Sequence, residues 1–358
     1  MMAKRKSYRF FSVVLALTVL AGLAACDKID GPDPDNGWNE LGGDRPVNFY
    51  SSLAATSTKA TSTLPDNTTF GVFAFYQEGT PGSAGTWNNN RTPNFMFNQA
   101  VEFSLPDVYT YSPVKYWPSN EYNTLSFWAY CPYTATPDLL VYNSTNAYTS
   151  ASKRIPDIRF TSDGHTDLMV SNIVKNQKIS SNYGVVPLTF NHVLSKIDVK
   201  AEKVDSEDKY TVTLDAVSFK GLYGTAILRN QSGNWELTGS RQEIWRAAPT
   251  PSPVLSHGTP INFGSAILLP QDLSNDASRL QVEYSVSYLE NPSDPTSTIS
   301  YSTVREAYLR DVFYNIGGGA WTKSSHYTVT LKITPGNPIQ FTVSWDNWGA
   351  DHNYNLSS

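Results

Sequence analysis

The sequence predicts an all-β protein in two halves, built from antiparallel sheets and preceded by an export signal. Tyr, Thr, Val, Phe and Trp are abundant, and turn-forming residues recur at short intervals. No stretch keeps a 3.6-residue apolar period for more than two turns, and the nearest helical candidate, residues 241–248, stops at Pro249. Removing residues 1–25 from the 358 leaves 333, enough for two domains or one large all-β domain.

The first 26 residues have the pattern of a lipoprotein signal peptide. Four basic residues lie between positions 4 and 9, an apolar run covers 10–21, and Leu23-Ala24-Ala25-Cys26 follows. A cysteine directly after Leu-Ala-Ala forms a lipobox, in which Cys26 receives lipid and becomes the new N-terminus. The alternatives are an ordinary signal peptide and a short anchor, but the run is shorter than the roughly 20 residues that a spanning helix needs.

Residues 26–45 are predicted to be a flexible tether between the lipid and the first domain. They are polar, rich in Gly, Pro, Asp and Asn, and lack an apolar period. Signal cleavage removes four of the 27 basic residues and no acidic ones, so 23 remain against 32 and the net charge is −9. This charge argues against nucleic acid as a partner. It also gives no attraction to an anionic membrane surface, so the lipid itself must hold the protein there.

Two dense apolar runs in the first half predict buried strands, residues 70–76 and 125–130. Cys131 follows the second run. If Cys26 is acylated, no internal disulfide can form, and we interpret Cys131 as a buried, inert thiol.

The second half contains clearer alternation. Apolar residues occupy every second position in 280–288 and again in 327–333, as expected for half-buried antiparallel strands. Pro335-Gly336-Asn337-Pro338 predicts a turn, after which Ile339, Phe341, Val343 and Trp345 alternate with polar residues. The boundary between the halves is placed near residue 187, which gives an N-terminal domain of 46–187 and a C-terminal domain of 188–358.

The sequence carries no signature of catalysis, and neither a metal nor a cofactor is expected. It has no Gly-x-Ser-x-Gly elbow, His-Glu-x-x-His helix or phosphate-binding loop. The five histidines are scattered without metal spacing. Residues 163–167, Asp-Gly-His-Thr-Asp, read more readily as a turn than as a ligand set, and residues 317–319 read as a loop. We expect His192 to be structural, with a ring nitrogen bonded to a backbone carbonyl.

Three segments together resemble the fimbrillin family of surface lipoproteins. The first is Ser57-Thr58-Lys59-Ala60-Thr61 followed by Phe70-Gly71-Val72-Phe73-Ala74-Phe75. The second, Phe190-Asn191-His192-Val193-Leu194-Ser195-Lys196-Ile197, is similar to the family's Phe-x-His-x-Leu-Ser-Lys-Ile signature. The third is the terminal strand 339–345, ending in Trp348.

The resemblance implies two transthyretin-like β-sandwich domains and a non-enzymatic role in pili or adhesion. It also implies export as a lipidated precursor to the cell outer membrane. A trypsin-like protease then cuts after a basic residue near the N-terminus and removes the first strand. The exposed groove accepts a strand from another fimbrial subunit.

Candidate residues for these steps follow from their positions in this chain. Arg45 and Lys59 are the candidate cleavage sites; Pro46 after Arg45 disfavours trypsin-like cleavage there, and an Arg-specific protease would refuse Lys59. An uncleaved chain would be a basal anchor or a stand-alone adhesin. The candidate donor strand carries Ile339, Phe341, Val343 and Trp345, although the same strand could simply complete its own sandwich.

A surface glycan-binding lipoprotein is the alternative function. Nine Trp and 21 Tyr could include a sugar-stacking platform, with Trp87, Trp117 and residues 345–348 as the places to look. Packing within the sheets is the simpler explanation, because β-proteins are rich in aromatic residues. A secreted glycosidase ranks third, since it requires a pair of carboxylates about 5–10 Å apart in a cleft. The partner implied by an adhesive or glycan-binding role is a host or bacterial surface glycan or protein.

Overall fold

The computed structural model describes residues 44–54, 63–135, 139–143, 146–206, 208–316 and 319–348. The first ten strands are β1 (Asn48–Leu53), β2 (Thr68–Gln77), β3 (Met96–Ser104), β4 (Val108–Thr110), β5 (Thr124–Cys131), β6 (Leu140–Val141), β7 (Asp157–Thr161), β8 (Met169–Ser171), β9 (Val174–Gln177) and β10 (Val185–His192). The next ten are β11 (Ser195–Lys203), β12 (Tyr210–Lys220), β13 (Leu222–Arg229), β14 (Asn234–Gln242), β15 (Trp245–Ala247), β16 (Ile261–Leu268), β17 (Arg279–Leu289), β18 (Thr298–Tyr308), β19 (Ser325–Ile333) and β20 (Gln340–Asn347). The helical elements among them are a 3-10 turn at Ser181–Gly184 and the four-residue α1 (Leu309–Val312).

The all-β prediction is confirmed, and the helical candidate at residues 241–248 is instead the end of β14 followed by β15. Across the described ranges, no helix has the length and apolar character needed to cross a membrane.

The first sheet has the strand order β1-β10-β8-β5-β2-β3-β4, with β9 also paired to β5. The predicted strands at 70–76 and 125–130 are its neighbouring strands β2 and β5. All eight residues of β5 are buried, which explains why apolar residues occur on both of its faces rather than alternating with polar ones. Gly71 in β2 leaves room for Tyr130, because a Cβ there would lie 2.4 Å from that ring.

Both faces of this sheet are covered by apolar packing. One face holds a core that includes Val47, Phe49, Phe70, Phe127 and Phe190. The other face packs on a second four-stranded sheet, β14-β13-β7-β6, through a core that includes Phe73, Trp128, Ile158, Ala226 and Leu228.

This second sheet contains strands from both sides of residue 187. The β13–β14 hairpin pairs with β7 from the first half of the chain. The Asp157 carboxylate of β7, which is 2% exposed, accepts hydrogen bonds from Arg229 Nη1 at 3.0 Å and the backbone N–H of Asn230 at 3.1 Å. The division into domains 46–187 and 188–358 therefore stays a prediction, and any such domains share a sheet.

The remaining strands form two four-stranded sheets, β16-β11-β19-β20 and β15-β12-β17-β18, around a core of their own. The predicted strands at 280–288 and 327–333 are β17 and β19. The predicted turn joins β19 to β20, with the Asn337 N–H donating to the Thr334 carbonyl at 3.1 Å.

Two ladders run parallel, whereas the sequence predicted antiparallel sheets. β1 pairs with β10 and β11 pairs with β19 in parallel. Alternation of apolar residues is the same in both pairing modes, so it identifies a strand and its inward face without identifying the direction of its neighbour.

Cys131 is the last residue of β5 and is 3% exposed, which agrees with its interpretation as a buried thiol. Burial raises its pKa to about 12, so the nucleophilic thiolate is suppressed at neutral pH.

Candidate functional site

The first strand, β1, fills a slot at the edge of the first sheet. Its inward residues Phe49 and Ser51 are buried, as is Val47 just before the strand. Phe49 lies edge-on to Phe70 and Phe127, with ring centroids 6.3 and 6.1 Å apart. A fully buried Phe side chain contributes on the order of 2–3 kcal/mol, so Phe49 is a major apolar contact of this strand.

Among the described residues, the backbone of β1 has a continuous ladder on one side only. Six residues pair with β10, from Asn48 opposite Val185 to Leu53 opposite Phe190. On the other side the described contacts are individual hydrogen bonds. Ser51 N–H donates to Tyr109 Oη at 2.8 Å, Val47 N–H donates to the Lys115 carbonyl at 2.8 Å, and Tyr111 Oη donates to the Val47 carbonyl at 2.7 Å. The slot would therefore expose both a sheet edge and an apolar floor if β1 left.

The two candidate cleavage residues stand on opposite sides of β1. Arg45 precedes the strand, and its carbonyl accepts a hydrogen bond from Trp117 N–H at 2.9 Å. Lys59 follows β1 and lies outside the described residues, as does the lipidation candidate Cys26. A cut after Arg45 would leave β1 attached to the rest of the protein, whereas a cut after Lys59 would separate it.

The candidate donor strand, β20, is an edge strand that lies within its own sandwich. It pairs with β19 over eight positions, from Gln340 opposite Lys332 to Asn347 opposite Ser325. Of its proposed plugs, Ile339, Phe341 and Val343 are partly buried against the core there. Trp345 is 55% exposed.

The packing beneath β20 is incomplete. A cleft of about 430 Å³ separates this strand from β18, with Leu280, Val282, Ile339 and Phe341 among its lining residues. The apolar residues of β20 are thus only partly buried in the strand's present position.

A histidine connects β20 to the interior of its sheet. His326 on β19 lies between two carboxylates, with Nε2 2.7 Å from Asp198 Oδ2 and Nδ1 3.0 Å from Asp346 Oδ1. Asp198 is on β11 and Asp346 on β20. Burial of Asp198 opposes ionisation, but hydrogen bonds from Ser265 and His326 outweigh it and lower the pKa of this carboxyl.

The end of β20 is fixed by a second histidine. The Trp348 ring stacks on His192, with centroids 4.1 Å apart and planes 14° from parallel. His192 Nδ1 lies 2.7 Å from Asp167 Oδ2. The ring partner that we predicted, a backbone carbonyl, is therefore wrong: the partner is a carboxylate, which position in the sequence alone could not identify.

The other candidate sites have structural explanations. Asp163 accepts hydrogen bonds from the backbone N–H groups of His165 and Thr166 at 2.8 and 2.6 Å, which forms the predicted turn. Trp117 is 2% exposed, and Trp87 packs against Phe75 with centroids 4.8 Å apart. Of these places for a sugar platform, Trp345 alone has a largely exposed ring within the described residues.

Sequence reasoning missed the two tyrosines that bound the slot, Tyr109 and Tyr111. Tyr109 and Tyr111 are two positions apart, so both lie on the same side of the short β4 region. Their partners, Ser51 and Val47, are 58 and 64 residues away in the sequence. The only signal available was an alternating Tyr-Thr-Tyr pattern, which any strand could show.

The sequence is similar to that of known proteins. The family model described as fimbrillin-like matches residues 58–348. The fimbrium subunit Fim1C of Phocaeicola vulgatus is 24% identical over 355 residues, covering 93% of this chain and 86% of that protein.

One solved structure supports the fold, and a second gives a weaker match. A fimbrial protein from Bacteroides vulgatus matches with a TM-score of 0.63 and 17% identity, covering 85% of this chain and 100% of that chain. A putative cell adhesion protein from Bacteroides uniformis matches with a TM-score of 0.49 and 15% identity, covering 85% of this chain and 99% of that chain.

Proposed function

The chain belongs to the fimbrillin-like family, and from that premise we propose that it joins other fimbrial subunits by exchanging a β-strand. It is a cell-surface fimbrial subunit or adhesin. Its work is binding and assembly, and we propose that this requires no catalysis. The single observation that carries the proposal is the seating of β1: an apolar face in a core and a ladder on one side, followed by Lys59.

Loss of β1 would create an acceptor site of the right chemistry. A cut after Lys59 makes β1 part of a separate peptide, held by one ladder and by the burial of Val47 and Phe49. Its departure would uncover the unpaired edge of β10 and the floor around Phe70 and Phe127. An incoming strand with apolar residues at every second position would restore both.

The strand β20 of a neighbouring copy has the pattern that this slot needs. Phe341 and Val343 are half-buried in their own sandwich and would be fully buried in the slot. Completing the burial of three such side chains, with Ile339, adds on the order of 3 kcal/mol to the exchange. The new ladder on β10 compensates for the ladder lost on β19, so the exchange is close to neutral in backbone hydrogen bonds.

Export and anchoring are proposed to depend on Cys26. Lipid on this residue would hold the mature chain at the outer membrane, with residues 27–45 as the tether. A chain that keeps this end remains at the membrane as an anchor or adhesin. A chain cut after Lys59 loses the lipid together with β1 and becomes available for a fimbrium.

Two measurements test this proposal together. Mass spectrometry of the native N-terminus distinguishes a lipidated Cys26 from Ala60 or Pro46. In vitro, limited digestion of the mature chain with a Lys/Arg-specific protease is followed by addition of a fluorescent peptide of residues 338–348. We expect the peptide to bind only after cleavage, with release of the fragment that contains β1.

Matched variants make the result specific. Lys59→Ala should abolish peptide binding after protease treatment, whereas Arg45→Ala should leave it unchanged. The proposal would be contradicted by a protein cut after Lys59 that releases β1 without gaining peptide binding, or by binding to the uncut protein with equal affinity.

A further inference from the structure

Three tyrosines form a row at one end of the β15-β12-β17-β18 sheet. Tyr210, Tyr288 and Tyr301 lie on the adjacent strands β12, β17 and β18. Tyr210 is directly paired with Tyr288, and Tyr301 is paired with Val286, two residues along the same face. Because directly opposed residues in antiparallel strands share a face, the three rings lie on one side of the sheet, within reach of one another.

The rings are on the core-facing side of the sheet, yet two of them are open to solvent. Tyr288 and Tyr301 are 39% and 44% exposed, because the opposing strand β19 ends at Ile333 and leaves this end uncovered. Tyr210 is partly buried and held in place, since its hydroxyl donates to Asp205 and the Lys203 ammonium lies 4.8 Å from its ring centroid. The row therefore contains one ring fixed by polar contacts and two accessible rings.

A cleft of about 490 Å³ lies over this row. Besides the three tyrosines it is lined by the apolar residues Val286, Leu289, Pro292 and Pro335, with Asp208 and Lys209 at the rim. This volume falls in the range of small-ligand sites, roughly 300–1,000 Å³. The lining combines flat aromatic faces with hydroxyl, carboxylate and ammonium groups, and the two rim charges are opposite and cancel.

We propose that this tyrosine cleft binds a neutral carbohydrate. A pyranose ring has an apolar C–H face that packs on an aromatic ring, and equatorial hydroxyls that exchange hydrogen bonds with phenol, carboxylate and ammonium groups. Two accessible rings on neighbouring strands suit two successive sugar units of a chain. The described lining residues carry one negative and one positive side chain, which give no net attraction for a charged ligand and favour an uncharged glycan over an acidic or basic peptide.

The proposal goes beyond strand exchange and is independent of it. The cleft is formed by β12, β17, β18 and the turn before β20, and β1 contributes no residue to it. Substitutions at Tyr288 or Tyr301 leave the slot of β1 intact. A failure of glycan binding would therefore say nothing against the assembly proposal, and the converse also holds.

The test is a titration of the mature chain with neutral oligosaccharides of defined linkage. Suitable probes are maltohexaose, cellohexaose, mannohexaose and N-acetyllactosamine, with sialyllactose as an anionic comparison, followed by calorimetry and saturation-transfer NMR. We expect saturable binding of at least one neutral probe. Tyr288→Ala and Tyr301→Ala should each weaken it about tenfold through loss of a stacking contact.

Two further variants separate the contribution of the aromatic ring from that of the hydroxyl group and from loss of a tyrosine elsewhere on the surface. Tyr301→Phe keeps the ring and should retain most of the affinity, and Tyr314→Ala, at a residue that is 76% exposed elsewhere, should change nothing. Thermal unfolding of each variant checks that the fold is kept. The proposal is overturned if no neutral probe binds, if Tyr288→Ala and Tyr301→Ala bind as the unchanged protein does, or if sialyllactose binds better than every neutral probe. Self-association or peptide binding lost in Tyr301→Ala, without glycan binding, would also overturn it and assign the cleft to a protein strand.

Discussion

The phenol group of Tyr109 accepts a backbone hydrogen bond from the middle of β1, on the side where the strand has no ladder. Tyr109 Oη accepts the Ser51 N–H and lies 2.9 Å from Ser51 Oγ, and burial raises the pKa of Tyr109 so that the neutral phenol is kept. Tyr109→Phe leaves a buried N–H without its acceptor, and we expect a loss of about 1–2 kcal/mol in the free energy of unfolding. Denaturant titration measures it, with Tyr50→Phe on the exposed face of β1 as the control. Equal stability of both variants would show that the hydrogen bond is unimportant.

The ion pair between Arg246 and Glu283, on the β15-β12-β17-β18 sheet, predicts a dependence of stability on pH. Hydrogen bonds from Arg246 lower the pKa of Glu283 to about 2, against about 4.3 in an unfolded chain. A depressed carboxyl pKa stabilises the fold above the unfolded value, and this contribution is lost as the pH falls from about 4.3 towards 2. We expect Glu283→Gln to lower stability at neutral pH and to flatten the acid side of the profile. Because the pair is partly exposed, added salt should reduce the difference.

Phe341 and Trp345 on β20 differ in burial, and paired substitutions can show what this difference contributes to stability. Phe341→Ala removes a half-buried ring from the core and should lower stability by about 1–2 kcal/mol, with faster amide exchange along β20. Trp345→Ala removes a largely exposed ring and should change stability by less than about 0.5 kcal/mol. Hydrogen exchange read by mass spectrometry distinguishes the two variants. Equal protection of the β20 amides in both variants would contradict the expectation that Phe341, and not Trp345, holds the strand on its core.

Individual strands could be predicted from the sequence where burial leaves a clear pattern. The dense apolar run of β5 and the alternation in β17, β19 and β20 each follow from which faces are covered. Partners could not be predicted in the same way. The pairing of Ser52 with Thr189 joins residues 137 apart, and nothing local in β1 specifies β10 or a parallel direction.

The candidate site, too, could be predicted only in part. The alternating plugs Ile339, Phe341 and Val343 could be read from period two, and they do face a core. The exposure of Trp345 could not, because it depends on where the opposing sheet stops. The carboxylates around His326 also come from strands on both sides of it, more than 100 residues away in the case of Asp198.

The shared sheet makes the two halves of the chain mechanically dependent on each other. Asp157→Ala would leave Arg229 without one of its carboxylates and Asn230 N–H without its acceptor, so we expect a loss of roughly 3 kcal/mol. Amide exchange should then accelerate in both β5 and β17. Glu236→Ala, at an exposed partner of the same arginine, serves as the control and should cost less than about 1 kcal/mol. Acceleration confined to one half would show that the halves unfold independently.

The exchange of β1 for a strand of another copy can be tested most directly by disulfide trapping. Ser52 and Thr189 face each other across the β1–β10 ladder with their hydroxyl oxygens 3.3 Å apart, and the buried native Cys131 should not interfere. In the uncut chain, the pair Ser52→Cys and Thr189→Cys should form a disulfide within one molecule. After cleavage at Lys59, a Thr189→Cys chain mixed with a Thr342→Cys or Ser344→Cys chain should give a disulfide-linked dimer. Failure of the cleaved mixture to form that dimer, with β1 already released, would contradict strand exchange.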